Sequence, residues 1–252
     1  MSSPRQHRYG LPWIVATVIL MAGILVAHAD MNQPKAEQVF SDPQVAALAT
    51  AGAAGDRARI DKLVTDGVSP DARGDKGVNL LEWALLNHSP EGMDALLDAG
   101  ADPAGPGIGG DTVMHMAVKS NDTSWLTRLL AHGASPDTVH TVTGEPALSA
   151  ALLNPDDAAF RRLLEHGANP NLADRLGNTP LHVAAQVHKS ACVLALLEAG
   201  ADPERRNQRG ETFQTYVNQA PDNDISDAAR AQREKVRAWL RDHGIAILGD
   251  GH

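Results

Sequence analysis

The sequence predicts an all-α repeat fold: a solenoid of about five to six helix-turn-helix units with β-hairpin fingers, preceded by an N-terminal hydrophobic helix. One glycine recurs at spacings of 33, 33, 34 and 33 residues, and a second glycine series and an apolar series keep the same period. One unit cannot bury both of its apolar helix faces alone, so a shared period predicts stacking. The three series are Gly67, Gly100, Gly133, Gly167, Gly200; Gly77, Gly110, Gly144, Gly177, Gly210; and Leu48, Leu81, Met114, Leu148, Leu181.

Residues 1–29 have the pattern of an export signal. Arg5 and Arg8 precede an apolar run, residues 11–29, that ends in the small-x-small pattern Ala-His-Ala. This pattern favours a cleaved signal peptide, but the run could also remain as an anchor in the inner membrane. A buried core helix is the remaining alternative. Cleaved or anchored, residues 30–252 are expected beyond the membrane, in the periplasm if the host is Gram-negative.

The unit at residues 174–203 shows how each part forms a helix pair. Thr179 supplies a capping hydroxyl, and Pro180 suits the first turn of a helix. Gly200 ends the second helix in the left-handed conformation that glycine adopts at little cost. The core faces of the two helices are predicted to be Leu181, Ala184 and Ala185, then Cys192, Val193, Leu196 and Leu197.

Residues 174–185 resemble the ankyrin repeat, whose hallmark is Thr-Pro-Leu-His-x-Ala. The third unit is similar, and the second and fourth depart, with Glu82 and Ser149 at the histidine position. The resemblance covers about residues 41–245. It implies units at about 41–70, 74–103, 107–136, 141–170, 174–203 and 207–245.

The two ends are expected to cover the stack. Residues 30–40 are predicted to be a linker and residues 246–252 a tail. The last unit contains a polar insertion over residues 217–226, the clearest departure from the family, whose role the sequence does not reveal. A charged helix over residues 228–243 then follows as a C-terminal cap with a polar outer surface.

Composition excludes several kinds of function. A net charge of −9 without a run of Lys and Arg argues against nucleic-acid binding and against anionic lipid surfaces, so membrane contact is expected only through the N-terminal segment. The single cysteine, Cys192, cannot form an intrachain disulfide and is expected to be an inert buried thiol. We expect no cofactor, no metal site and no catalytic residues, because no zinc, nucleotide or nucleophile motif is present.

The resemblance also assigns roles to particular residues. His115 and His182 occupy the histidine position that ties turns together in ankyrin repeats. The fingertips and the first helices would form a concave surface that binds another protein, and we expect a monomer. The candidate partner-binding residues are Asp75, Lys76, Trp83, Ile108, Val142, Arg175, Leu176, Gln208 and Arg209.

The middle fingertips are apolar and charged ones flank them, which suits a protein interface. Two alternatives remain open: the apolar tips pack against neighbouring fingers, and Trp83 belongs to the core.

The leading functional hypothesis is an exported protein-binding module and not an enzyme. Some bacterial ankyrin proteins of this layout resemble immunity proteins, which cover the active site of a toxin, so an immunity or inhibitor role is implied. An alternative is a structural or stress-protective envelope protein without a single tight partner. A catalytic role for Asp222, Asp224 and Asp227 is disfavoured, because no histidine or metal-binding pattern lies nearby in sequence.

Overall fold

A computed structural model describes residues 34–120, 122–217 and 226–248. The export pattern, Asp222, Asp224 and most of the insertion at 217–226 lie outside these ranges. The helices are α1 (Ala36–Val39), α2 (Pro43–Ala54), α3 (Arg57–Thr65), α4 (Leu80–Leu86), α5 (Pro90–Asp98), α6 (Val113–Lys119), α7 (Thr123–Ala131), α8 (Ala147–Ala151), α9 (Ala158–Glu165), α10 (Pro180–Gln186), α11 (Ser190–Glu198), α12 (Phe213–Val217) and α13 (Asp227–Asp242). In the part of the chain described, no helix has the length and hydrophobicity that a membrane crossing requires.

The helices from α2 to α11 form consecutive packed pairs, the first helices of successive pairs pack against one another, and α12 and α13 continue the array on α10 and α11. The predicted apolar series lies along this contact. Its five side chains are at most 2% exposed: Leu48, Leu81, Met114, Leu148 and Leu181. The repeat prediction is therefore confirmed, because each unit covers the apolar face of the next.

Helix boundaries follow the predicted signals. The side chain of Asp42 caps α2 by accepting hydrogen bonds from the backbone N–H groups of Gln44 and Val45. Thr179 is the N-cap of α10, with Pro180 as its first residue. At the C-terminal end, Ser226 caps α13 through its hydroxyl group.

The N-terminal edge of the array is covered by residues 36–40. These residues belong to the segment predicted as a linker, and they form α1 followed by the buried Phe40. The Phe40 ring lies edge-on to the ring of Trp83, with 5.5 Å between centroids. The short helix thereby shields this side of the first unit from water.

Five fingers project between the helix pairs: finger 1 (73–79), finger 2 (106–112), finger 3 (139–146), finger 4 (174–178) and finger 5 (207–211). Fingers 1 to 3 are each closed by one antiparallel bridge, and none of the described residues forms an extended strand. Neighbouring fingers are joined by backbone hydrogen bonds of 2.9–3.0 Å: Thr141 N–H to Gly110 O, Arg175 N–H to Thr143 O, and Gln208 N–H to Leu176 O.

A second series of hydrogen bonds links the turns that follow the second helices. The side chains of Asp71, Asp137 and Asn171 each accept the backbone N–H of a residue in the next unit, at 2.7 Å. Ala104 occupies the corresponding position after the second unit. The alanine side chain has no oxygen that could accept the backbone N–H of Ser135. The series is therefore interrupted between units that otherwise repeat the same contact.

His115 and His182 tie each helix to the following finger. The Nε2–H of His115 donates to the carbonyl of Glu145 at 3.0 Å, and that of His182 donates to the carbonyl of Glu211 at 3.0 Å. Since a carbonyl only accepts, both rings carry their proton on Nε2. Burial lowers the pKa of both rings, that of His115 to about 4. The predicted structural role of these histidines is confirmed.

Ala104→Asn should restore the interrupted series of turn contacts. The new side-chain oxygen can accept the N–H of Ser135, and we expect about 0.5–1 kcal/mol of added stability in urea unfolding. Asp137→Ala is the matched control, because it removes an existing bond of the same kind and should destabilise by a similar amount. Equal stability of Ala104→Asn and the parent chain would contradict this account.

His115 should make stability depend on pH. Burial favours the neutral ring and lowers the pKa from 6.5 in the unfolded chain to about 4 in the folded chain. The contribution of His115 to folding stability is therefore complete above pH 6.5 and is lost as the pH falls toward about 4. The difference in unfolding free energy between the parent chain and His115→Asn should shrink by about 3 kcal/mol between pH 7.5 and pH 4. A difference that stays constant over this range would show that His115 does not titrate on unfolding.

Candidate functional site

Apolar side chains are exposed at the tips of three consecutive fingers. Ile108 is 42% exposed, Val142 is 58% exposed and Leu176 is 62% exposed. Val139 adds a fourth exposed apolar side chain in finger 3. Large exposed apolar side chains are otherwise few in the described ranges, namely Leu153, Val187 and Leu248. The tips Ile108, Val142 and Leu176, called the fingertip row below, therefore form the main apolar feature of this surface.

The sequence-predicted residues fall on this surface with one exception. Asp75 and Lys76 are exposed on finger 1, Arg175 on finger 4, and Gln208 and Arg209 on finger 5. These side chains flank the apolar tips on both sides, as the sequence predicted.

Trp83 is the exception, because it is buried on α4 against Phe40. Its position agrees with the core alternative. Its indole N–H has no hydrogen-bond partner among the described residues.

Acidic side chains in the fingers are engaged within the protein. Asp111 pairs with Lys119 at 2.8 Å, and Asp174 accepts backbone N–H groups of its own finger. In finger 5, Glu211 accepts the hydroxyl proton of Tyr216 at 2.6 Å, and Asn207 and Arg209 also donate to that hydroxyl. Beside the fingertip row, Lys76 and Arg175 are exposed basic side chains, whereas Arg209 pairs with Glu211 at 2.9 Å and Asp75 is an exposed carboxylate.

The backbone of each apolar tip is held by a side-chain acceptor. In finger 3, Nδ1 of His140 accepts the N–H of Val142 at 3.1 Å. In finger 4, Oδ1 of Asp174 accepts the N–H of Leu176 at 2.8 Å. Finger 5 repeats the arrangement, with Oδ1 of Asn207 accepting from Arg209 at 2.9 Å. These acceptors precede the tip residue by two positions, so each finger fixes its own tip.

Finger 2 is held in a different way. Gly107 stands at its start and has no side chain, and the N–H of Ile108 instead donates to the carboxyl group of Glu82 at 3.1 Å. Glu82 is fully buried on α4, and its backbone N–H is capped by Asn79. Burial raises the pKa of Glu82 to about 7, against the opposing effect of the N–H groups of Asn79 and Ile108.

Sequence reasoning located the fingertips but did not identify Glu82 as a residue that holds one. The sequence does contain two changes from the repeat that could have indicated this contact. Glu82 stands at the histidine position of the second unit, and Gly107 stands at the start of the finger that follows. Each change alone resembles ordinary variation, and their contact becomes visible only in the fold.

The described residues contain no group of three or more histidine, cysteine, aspartate or glutamate side chains that could hold a metal ion. Asp227 is exposed and pairs with Arg230 at 3.1 Å. Cys192 is buried, and burial raises its pKa to about 12, so its thiol remains protonated at neutral pH.

Comparison with known proteins identifies the same repeat. Residues 113–207 match the family model of ankyrin repeats (3 copies). Protein PhlB of Serratia liquefaciens is 35% identical over 209 residues, which cover 83% of this chain and 92% of that protein.

Solved structures are also similar. An ankyrin repeat domain from Acinetobacter baumannii has a TM-score of 0.60 and 25% identity, and the match covers 79% of this chain and 98% of that domain. A chain in the complex of the predatory endopeptidase Bd0816 from Bdellovibrio bacteriovorus with the immunity protein Bd3460 has a TM-score of 0.57 and 23% identity. That match covers 75% of this chain and 97% of the other, and it shows likeness of fold alone.

Ankyrin repeats serve generally as non-catalytic modules that bind other proteins. The buried apolar series, the histidine ties, the family model and the relative from Serratia liquefaciens agree on one conclusion. The chain belongs to the ankyrin-repeat family.

Proposed function

We propose that this chain is an exported protein-binding module that recognises one partner protein through the fingertip row and the concave face of the first helices. We further propose that it acts as an immunity or inhibitor protein against a secreted toxin. The observation that carries the proposal is the exposure of Ile108, Val142 and Leu176 on consecutive fingers. Contiguous exposed apolar surface is typical of an interaction site, because its burial releases about 25 cal/mol per Å².

The fingers are suited to binding because they are ordered before a partner arrives. Backbone hydrogen bonds join fingers 2 to 5, and side-chain acceptors hold the tips. A surface that is already ordered loses little conformational entropy on association, so more of the contact energy contributes to affinity. The row can therefore present its apolar side chains as one rigid edge.

The charges around the row favour a partner with an acidic rim. Lys76 and Arg175 are exposed beside the apolar tips, while Asp111 and Asp174 are occupied by internal contacts and Glu211 pairs with Arg209. An apolar patch surrounded by carboxylates on the partner would complement this surface, with the charges governing mainly encounter rate and specificity.

An inhibitor acts by covering a site and needs no catalytic group of its own, which fits a rigid binding edge. A chain of the same fold occurs in the complex of a predatory endopeptidase with an immunity protein, which supplies a precedent for the fold and no residue correspondence. The export pattern of residues 1–29 would bring the chain to the compartment through which a secreted toxin passes.

Replacing the apolar tips should abolish partner binding without unfolding the chain. A photocrosslinking amino acid at Val142 should yield one predominant adduct in the native host, whereas the same group at Glu198 on α11 should not. The adduct should be lost in Ile108→Asp and Leu176→Asp, each of which should weaken binding at least about tenfold. Leu248→Asp is the matched control, because Leu248 is 51% exposed outside the fingers. Equal adduct yields in all three variants would refute the proposed surface.

The inhibitor role has its own test. The captured partner should be a secreted enzyme, and the purified chain should inhibit it at a one-to-one ratio. A strain lacking this chain should lose viability when the enzyme is expressed, and Ile108→Asp should not restore it. Unchanged survival of the deletion strain would leave protein binding intact and reject the immunity role.

Export should be visible at the N-terminus of the mature chain. We expect the chain in the periplasmic fraction of a Gram-negative host, with Asp30 as its first residue after cleavage behind Ala-His-Ala. Ala29→Tyr should block cleavage and keep the chain membrane-bound, with residues 30–252 still accessible to protease in spheroplasts. Protection of the parent chain from protease would contradict export.

A further inference from the structure

Finger 2 differs from fingers 3 to 5 at two positions that contact each other. In the fifth unit, His182 on the helix and Asn207 at the start of finger 5 share the task of holding that finger. The corresponding positions for finger 2 carry Glu82 and Gly107. Both halves of the usual arrangement are thus replaced together.

The two replacements fit each other sterically. A Cβ on Gly107 would lie 1.9 Å from Oε1 of Glu82 and 2.0 Å from its Cδ. The carboxyl group therefore fills the space of a side chain at position 107. It also accepts the N–H of Ile108, the residue after Gly107, whereas Asp174 and Asn207 accept the N–H two positions further along in their own fingers.

We propose that Glu82 and Gly107 are a compensating pair, in which the buried carboxyl group of Glu82 positions the fingertip Ile108 and makes that position respond to pH. Glu82 is thus a positioning residue that acts through Ile108. Its relevance to partner binding rests on the function proposed above, whereas its effect on finger 2 does not.

The direction of the pH response follows from the surroundings of Glu82. Asp111 on finger 2 and burial favour the protonated carboxyl, while Arg73 on finger 1 and the N–H groups of Asn79 and Ile108 favour the ionised form. Burial is the largest of these effects and raises the pKa to about 7 from its usual 4.5.

Opening finger 2 returns Glu82 to water and to its usual pKa. The closed finger therefore holds more protons between pH 4.5 and pH 7, and a rising pH favours opening. The opening equilibrium should increase up to about fiftyfold between pH 5 and pH 8.

Amide spectra of the full chain in mild detergent test the pH response. The Ile108 amide should titrate with a midpoint near 7, and its protection factor against hydrogen exchange should fall up to about fiftyfold from pH 5 to pH 8. In Glu82→Gln, which keeps an acceptor but cannot ionise, both changes should disappear. The Arg209 amide is the internal control, because its acceptor Asn207 does not titrate. The same Ile108 profile in Glu82→Gln would overturn the proposal.

A double-mutant cycle tests the compensation. Gly107→Asp alone places a second carboxylate against Glu82, and Glu82→His alone leaves the N–H of Ile108 without its acceptor. Each should lower the ratio of folded to unfolded chain roughly tenfold or more. The double variant carries the residue types found at these positions in other units and should recover most of that loss. Additive losses would reject the pair.

These measurements use the chain without a partner. Their failure would reject the role of Glu82 and leave the proposed fingertip surface standing. A failure of the photocrosslinking experiment would reject the proposed fingertip surface and leave the role of Glu82 standing.

Discussion

The fold depends on one requirement: each helix pair has an apolar face that only the next pair can cover. The leucine and methionine side chains along this seam are almost completely buried, and the small alanines beside them allow close approach. Stacking at this contact sets the spacing of the fingers as well, because each finger is continuous with the helices on either side. The hydrogen bonds between fingers and between turns then fix the angle at which successive units meet. The arrangement of the fingertip row is thus a consequence of the buried apolar contact between successive helix pairs.

The repeat was readable from the sequence because its signals are local. A glycine after the second helix recurs in every period of 33 or 34 residues, and capping residues followed by proline mark several helix starts, such as Asp42-Pro43, Ser89-Pro90 and Thr179-Pro180. The exposure of Ile108, Val142 and Leu176 could be predicted as well, since a fingertip is defined by its distance from these signals. Burial of Trp83 was one of two alternatives that the sequence left open, and its contact with Phe40, which lies outside the repeat, decides between them. The contact between Glu82 and Gly107 was hidden from the sequence, because it joins positions in different units.

In the four middle units, one position of the repeat is filled by three kinds of side chain, with different consequences for the fingers. Histidine at 115 and 182 donates to a carbonyl, and glutamate at 82 accepts from an N–H group. Ser149 is too short to reach the next finger, and its buried hydroxyl has no hydrogen-bond partner among the described residues. Finger 4 consequently relies on Asp174 and on its neighbours. A chain of similar units can therefore hold each finger with a different stiffness, which uniform repeats would not allow.

The hydroxyl group of Tyr216 gathers Asn207, Arg209 and Glu211 of the last finger into one closed network. Beyond it, α13 buries Val236 and Leu240 against the array and carries charged side chains on its exposed face. Packed helices lie about 8–10 Å apart, so five fingers span roughly 40 Å. The row of five fingers therefore has a limited span, comparable to the width of a small globular domain, so the contact area of the row is limited by length as well as by chemistry.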